Sequence, residues 1–237
     1  MEAVMALKGL RKEYPGFVLD NIDLTLPAGS IMGFVGENGA GKTTTIKTML
    51  NICRKDGGEA CFFGLDMAGN EREIKSRLGV VLDESMFHDT LRVTDIDKIL
   101  SRVYPHKWDG SLYSQYIREF QLPEKKLVKD YSRGMKMKLS IAAALSHHPQ
   151  LLILDEATSG LDPIMREEIL AVFQRFVAGG EGRAVFLSSH ITSDLEKVAD
   201  RIAFIHQGRL VFCEEKAKLG GSIEELMLDY VHHEQGR

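Results

Sequence analysis

The sequence predicts an α/β domain in which a parallel sheet is wrapped by helices. Three observations carry this prediction. Apolar runs typical of buried strands alternate with helical segments, a glycine-rich loop joins one such run to a helix, and no strand pattern occurs between about residues 91 and 147. We therefore expect a helical insert within the α/β domain.

Apolar runs bounded by turn residues predict the strands. These runs occur at residues 4–7, 17–19, 24–26, 31–35, 60–63, 78–82, 151–154, 184–187 and 202–205. A turn at Gln207 and Gly208 predicts a hairpin that leads to a last strand at 210–212. Helices are expected after Lys42 and at residues 70–77, so that strands and helices alternate as in a parallel sheet.

The insert, about residues 84–147, is predicted to be helical. Thr94 is a candidate N-cap for its first helix, in which apolar residues recur at helical spacing. A second helix is predicted at about residues 111–120, where Leu112, Tyr116 and Phe120 lie roughly on one stripe.

Composition excludes several classes of protein. The net charge is −4 and the pI is about 6.1, without a basic stripe, which argues against a protein that coats nucleic acid. Three widely spaced cysteines, which form no C-x-x-C pair, favour a reducing compartment over a disulfide or zinc framework. Two pairs of adjacent histidines lack the spacing of metal ligands. No apolar run approaches the roughly 18 residues of a membrane span, so the chain itself is not expected to cross a membrane.

Residues 36–44, GENGAGKTT, form the glycine-rich loop. Their spacing fits G-x-x-x-x-G-K-[ST], in which backbone N–H groups surround phosphates, the lysine neutralises the outer ones, and the following hydroxyl ligates Mg²⁺. The helix after the loop directs its positive end at the same place. A plain glycine turn is the alternative. The predicted triphosphate site comprises Gly36, Asn38, Gly39, Ala40, Gly41, Lys42, Thr43 and Thr44. Thr43 is also a predicted ligand of the metal ion.

Two acidic residues end the apolar run at 151–154. Because ligands bind at the carboxyl ends of parallel strands, Asp155 is a candidate for holding Mg²⁺ and Glu156 for polarising the attacking water. Two solvated acids would be the structural alternative. His190 ends the next strand pattern, before a predicted capping box at Ser193 and Glu196, and is a candidate donor to the γ-phosphate. A packed or surface histidine is the alternative there.

The order of the motifs GENGAGKTT, YSRGMKMKLSIAAAL, LLILDEATSGLDP and LSSHIT resembles the nucleotide-binding domain of ABC transporters over about residues 3–220. The resemblance implies a P-loop NTPase (RecA-like) core with a small antiparallel β-subdomain, the helical insert, and a short tail at about 221–237. It also implies that Tyr14 stacks on adenine, although a core aromatic residue is an alternative. Ser132, a plausible N-cap, and Gly134 would act on the nucleotide held by a second subunit. The loop of residues 159–162 would join the two sites.

The chain departs from the family pattern at Tyr131, Arg133 and Met135, where the family has leucine, glycine and glutamine, and at Asp83. Asp83 stands where the family usually has glutamine, and its carboxylate is a candidate ligand of Mg²⁺ that also brings negative charge near the phosphates. Arg133 occupies a usual glycine position, and its charge has two candidate roles, pairing with phosphate or facing solvent. Nearby Met86 and Phe87 would suit a groove for a short helix of a membrane partner or, alternatively, would pack beneath the insert.

The resemblance implies an ATPase that binds ATP and Mg²⁺, closes with a second ATPase subunit in a homodimer or heterodimer, and drives a separate transmembrane permease. Its expected location is the cytoplasmic face of the membrane, through that permease, without direct binding of nucleic acid. Export is favoured over import by family analogy, because no regulatory domain is expected after about residue 220. The rival functions are a soluble ABC ATPase of ribosomes or DNA and a regulatory module that binds ATP without hydrolysing it.

Overall fold

The strands are organised into two sheets in the computed structural model, which describes residues 3–83, 86–180 and 182–235. The strands are β1 (Ala3–Tyr14), β2 (Phe17–Pro27), β3 (Ile31–Val35), β4 (Gly57–Phe62), β5 (Leu65–Asp66), β6 (Leu78–Val81), β7 (Leu151–Asp155), β8 (Ala184–Ser189), β9 (Arg201–His206) and β10 (Arg209–Glu215). The helices are α1 (Lys42–Met49), α2 (Met67–Lys75), α3 (Val93–Val103), α4 (Gly110–Glu119), α5 (Arg133–Leu145), α6 (Pro163–Ala178), α7 (Thr192–Val198) and α8 (Ile223–Gln235).

A six-stranded sheet carries the functional residues. Its order is β10-β9-β3-β8-β7-β6, in which β9, β3, β8, β7 and β6 are parallel and β10 pairs antiparallel with β9. The carboxyl ends of β3, β7 and β8 therefore meet at one edge. This order confirms the predicted parallel core and the predicted hairpin.

A smaller antiparallel sheet has the order β2-β1-β4-β5, as the resemblance implied. The run predicted at residues 4–7 extends through β1, which pairs with β2 from Ala3 opposite Pro27 to Tyr14 opposite Phe17. The helix predicted at 70–77 begins earlier, at Met67, because the Asp66 carboxylate accepts hydrogen bonds from the first N–H groups of the helix.

The described residues between β6 and β7 form no strand, and α3, α4 and α5 are the main elements of this segment, joined by turns. Residue 84, the predicted start of the insert, lies outside the described residues. Thr94 is not the N-cap of α3. The helix begins at Val93, because the Asp95 carboxylate accepts a hydrogen bond from the Arg92 N–H and fixes the cap at Arg92, two residues earlier.

Two hydrophobic cores lie on opposite faces of the parallel sheet. Successive side chains of a strand point to opposite faces, so Leu152 and Leu154 of β7 join the core beneath the helical segment. Leu151 and Ile153 join the core shared with the antiparallel sheet. Both cores thus fix β7, which ends at the predicted metal-binding carboxylate. In the described part of the chain, no helix is both long and apolar enough to cross a membrane.

Candidate nucleotide-binding site

The glycine-rich loop joins β3 to α1 and has the backbone freedom that its sequence requires. Gly39 and Gly41 have φ angles of 84° and 113°, in the region that favours glycine. A Cβ at Gly36 would lie 2.4 Å from the Ile205 carbonyl oxygen, so only glycine fits there. Gly41 is the N-cap of α1, which directs the free N–H groups of the helix toward the loop.

The ammonium group of Lys42 is held inside this loop. Its side chain is 6% exposed, and Nζ donates hydrogen bonds to the carbonyl oxygens of Gly36 (2.7 Å) and Glu37 (3.2 Å). Nζ also lies 3.2 Å from Glu156 Oε1. The positive charge therefore sits between the phosphate loop and the acidic end of β7.

The Asp155 carboxylate lies at the centre of the site. Thr43 Oγ1 donates to its Oδ2 (2.7 Å), and Ser188 Oγ donates to its Oδ1 (2.9 Å). Ser188 is positioned because it is the register partner of Asp155 on neighbouring β8. Burial raises the pKa of Asp155 above its ordinary value, although both hydroxyl hydrogen bonds act in the opposite direction. The fold thus holds a carboxylate against a desolvation cost, as expected of a functional group.

Replacing Asp155 with asparagine should stabilise the nucleotide-free chain, because the amide removes a buried charge and retains groups that can bond Thr43 and Ser188. We expect a gain on the order of 1 kcal/mol at neutral pH, measured by urea unfolding. Since the folded-state pKa is raised, the stability of the unaltered protein falls as pH rises through that pKa. The advantage of the variant should therefore shrink toward acidic pH. Equal stability of the two proteins at neutral pH would show that burial of the Asp155 charge does not destabilise the fold.

Glu156 and His190 form a pair beside Lys42. Glu156 has a φ of 53°, uncommon for a residue with a side chain, and its N–H donates to the Ser188 carbonyl. Its Oε2 lies 2.7 Å from His190 Nδ1. Because an ionised carboxylate only accepts, Nδ1 carries the proton in this contact. His190 precedes α7, whose N-cap is Ile191 and not Ser193, so the predicted capping box is wrong.

Lys42, Thr43 and Glu156 border a cavity of about 300 Å³, whereas Asp155 and His190 are not among its described lining residues. The described residues that line it are Phe17, Glu37, Asn38, Gly39, Gly41, Lys42, Thr43, Thr44, Asp83 and Glu156. Gly36 and Ala40 lie instead in the base of the loop, where Ala40 is buried and its carbonyl accepts from the Gly208 N–H. Most of the predicted phosphate-binding residues therefore share one cavity with the predicted base.

Tyr14 ends β1 and is 41% exposed, which removes the alternative of a core aromatic residue. It is not among the described residues that line the cavity, whereas its cross-strand partner Phe17 is. Phe17 lies against the phosphate loop, since a Cβ at Gly41 would be 3.0 Å from its Cζ. Sequence reasoning missed Phe17 because an aromatic residue at the start of a strand looks like ordinary packing.

Ser132 and Gly134 lie at the start of α5. Ser132 is the N-cap, as predicted, and its Oγ accepts a hydrogen bond from the Met135 N–H (3.2 Å). Gly134 is buried, and a Cβ there would lie 2.6 Å from Met165 Sδ. Neither residue is among the described lining of the phosphate cavity of the same chain.

Two of the departures from the family pattern, Asp83 and Arg133, contact each other. Arg133 Nη2 lies 2.6 Å from Asp83 Oδ1, and both side chains are about half exposed. Of the two roles considered for Arg133, facing solvent agrees with its exposed side chain, and the guanidinium is in addition paired with a carboxylate of its own chain. Sequence gave no signal for this contact, which joins residues far apart in the chain.

Comparisons with known proteins identify the family of this chain. The family described as ABC transporter matches residues 19–159. The chain is 36% identical over 213 residues to the bacitracin transport ATP-binding protein BcrA of Enterococcus faecalis, covering 89% of this chain and 69% of that one. It is 31% identical to the lantibiotic transport ATP-binding protein SrtF of Streptococcus pyogenes, covering 99% and 100%.

A solved structure of the ATP-binding subunit of an ABC transporter has the same fold. Its TM-score is 0.85 at 23% identity, over 95% of this chain and 98% of that one. The matched family covers the phosphate loop and the acidic end of β7, where the site residues meet. The chain therefore belongs to the ABC transporter family, as an ATP-binding subunit with ATPase activity.

Proposed function

We propose that this chain binds ATP with Mg²⁺ in the phosphate cavity, closes with a second ATPase subunit, and drives export through a separate transmembrane permease. The observation that carries the proposal is the contact network at one edge of the parallel sheet. There Lys42, Thr43, Asp155 and Glu156 lie within about 3.2 Å of a neighbour in the set. Lysine, hydroxyl and carboxylate groups are the ones that phosphoryl transfer requires.

The phosphates would bind over residues 36–44, where the positive end of α1 and the Lys42 ammonium offset their charge. Lys42 is now held by loop carbonyls and by Glu156. Binding of the outer phosphates would give its ammonium a stronger partner and would leave the Glu156 carboxylate available. Tyr14 is the proposed partner for adenine, with Phe17 placed between it and the loop.

The donor set fits Mg²⁺, which prefers hard oxygen ligands and one or two carboxylates. Thr43 Oγ1 and Asp155 Oδ2 already lie 2.7 Å apart, so both oxygens face the same point beside the phosphate loop. These two residues would hold the ion, and Asp83 is a third candidate at the rim of the cavity. The ion, when bound, would neutralise charge on the phosphate oxygens.

Glu156 is the proposed general base. Its carboxylate lines the cavity and is oriented by His190 on one oxygen and Lys42 on the other. A base held in this way removes a proton from attacking water as the bond to the γ-phosphate forms. His190, which is 40% exposed, is proposed to contact the γ-phosphate as well as Glu156.

The second ATPase subunit would supply Ser132 and Gly134. Ser132, the N-cap of α5, is exposed, so its hydroxyl is accessible to another molecule. The adjoining start of α6 presents an apolar residue, Ile164, that is 73% exposed. The second subunit is either another copy of this chain or a diverged sibling.

The permease is proposed to bind an apolar groove of about 590 Å³. The groove lies between the sheet edge and the helical segment, and both Met86 and Phe87 line it. Met86 is 52% exposed, which supports a role beyond packing beneath the insert. A short amphipathic helix from the permease would suit such a groove. The contact would place the chain at the cytoplasmic face of the membrane.

The test is recovery of the tagged chain from detergent-solubilised membranes of its host, with mass spectrometry of its partners. We expect a stoichiometric integral membrane protein, and we expect Ile99→Glu, which places a charge in the groove, to lower its recovery at least tenfold. Leu228→Glu is the matched control, because Leu228 is a similarly exposed apolar residue on α8. Recovery of ribosomal or DNA-bound partners, with no membrane protein, would contradict the proposal.

A further inference from the structure

The ion pair between Asp83 and Arg133 joins two residues that are far apart along the chain. Asp83 follows β6, at the edge of the parallel sheet, whereas Arg133 is the first residue of α5. The 2.6 Å contact between Nη2 and Oδ1 therefore ties the sheet to the segment that begins with Ser132. An exposed pair such as this contributes little to stability, about 1 kcal/mol or less. Its position suggests a different role.

Asp83 borders the cavity that must accept a polyanion. The described charged residues that line the cavity are three carboxylates and one ammonium, namely Glu37, Asp83, Glu156 and Lys42. Lys42 lies next to Glu156, and His190 adjoins the same carboxylate. Asp83 instead has Arg133 as its cation. Without that cation, the charge of Asp83 would add directly to the repulsion of phosphate.

Arg133 is also held from its other side. A Cβ at Gly160 would lie 2.9 Å from Arg133 Nη1, so the guanidinium lies against the backbone of the loop that precedes α6. Gly160 has a φ of 70°, a conformation that favours glycine, and because glycine has no side chain the guanidinium can lie there. The guanidinium is therefore fixed between a carboxylate and a loop, and a planar group in such a place is not equivalent to a mobile lysine.

We propose that Arg133 is a positioning residue for nucleotide binding, which neutralises Asp83 and so permits a carboxylate at the rim of the phosphate cavity. The opposite charges of the two residues cancel, so the pair has no net charge. Each is unfavourable without the other: Asp83 alone repels phosphate, and Arg133 alone loses the partner that orients it. The inference rests on ATP binding in this cavity, as set out under the proposed function.

The test is equilibrium binding of ATP to the purified full chain in the presence of EDTA, where the nucleotide carries its full charge. Arg133→Gln should weaken binding about fivefold, a change on the scale of one exposed charge near the cavity. The double variant Asp83→Asn with Arg133→Gln should bind within about twofold of the unaltered chain. Arg133→Lys should recover only part of the affinity.

Lys136→Gln is the matched control, because Lys136 lies on the same helix and pairs with Asp89, outside the described cavity lining. It should leave the affinity within about twofold of the unaltered chain. Equal affinities of Arg133→Gln and Lys136→Gln would overturn the inference, because Arg133 would then have no role in binding. A double variant as weak as Arg133→Gln would also overturn it, because Arg133 would then act independently of Asp83. Absence of ATP binding to the unaltered chain would instead overturn the proposed function and the inference with it.

Discussion

Replacing Glu156 with glutamine should lower kcat for ATP hydrolysis by about a hundredfold to ten-thousandfold, the range expected when a general base is removed. ATP should still bind, because glutamine has nearly the same shape and removes negative charge from the cavity. The bound nucleotide, no longer hydrolysed, should hold two ATPase subunits together. The measurements are phosphate release, nucleotide affinity and the mass of the complex by sedimentation.

Glu167→Gln provides the control for this variant. Glu167 lies on α6 and forms a surface ion pair with Lys197 at 3.0 Å, away from the described cavity lining. The same chemical change there should leave turnover within about twofold of the unaltered chain, since surface pairs contribute little. Hydrolysis at the normal rate by Glu156→Gln would show that this residue is not the base.

Replacing Lys42 with methionine should abolish ATP binding at micromolar nucleotide, with a loss of affinity of about a hundredfold or more. Methionine fills similar space but leaves the outer phosphates without a charged donor, which costs up to about 3 kcal/mol. It also leaves the Glu156 carboxylate without its ammonium partner, so repulsion of phosphate increases. The measurement is titration with a fluorescent ATP analogue.

Lys47→Met tests whether removal of any positive charge from α1 lowers the affinity for ATP. Lys47 lies in the last turn of the same helix and is not among the residues that line the cavity in the described chain. Its replacement should change the affinity by no more than about twofold. Tight binding by Lys42→Met would mean that the loop backbone alone holds the nucleotide, contrary to the role assigned to the ammonium.

Local patterns were sufficient for the parallel core and for most of the site. The apolar run at 151–154 predicted β7, and the acids that follow it lie at the expected edge because parallel strands end together. Ser188 could have been predicted in the same way, because it is one of two serines that end the otherwise apolar strand next to β7. Its hydrogen bond to Asp155 follows from register alone.

Two kinds of contact were not predictable from local sequence. They are the choice between neighbouring candidate N-caps and the contact between residues far apart in the chain. Thr94 and Ser193 both resemble N-caps. However, α3 begins at Val93, where the Asp95 carboxylate accepts from the Arg92 N–H, and α7 begins at Thr192. Arg133 had two reasonable roles from sequence. Its true neighbour, Asp83, is fixed by how α5 packs beside the sheet edge, which no local pattern reports.

The most direct test of the central claim is phosphate release by the membrane complex recovered through the tagged chain. The account predicts Mg²⁺-dependent ATP hydrolysis that falls at least a hundredfold when the tagged chain carries Glu156→Gln, with the membrane partner still bound. Stoichiometric ATP binding without phosphate release above the level of that variant would contradict it, and would leave the chain as a nucleotide-gated module.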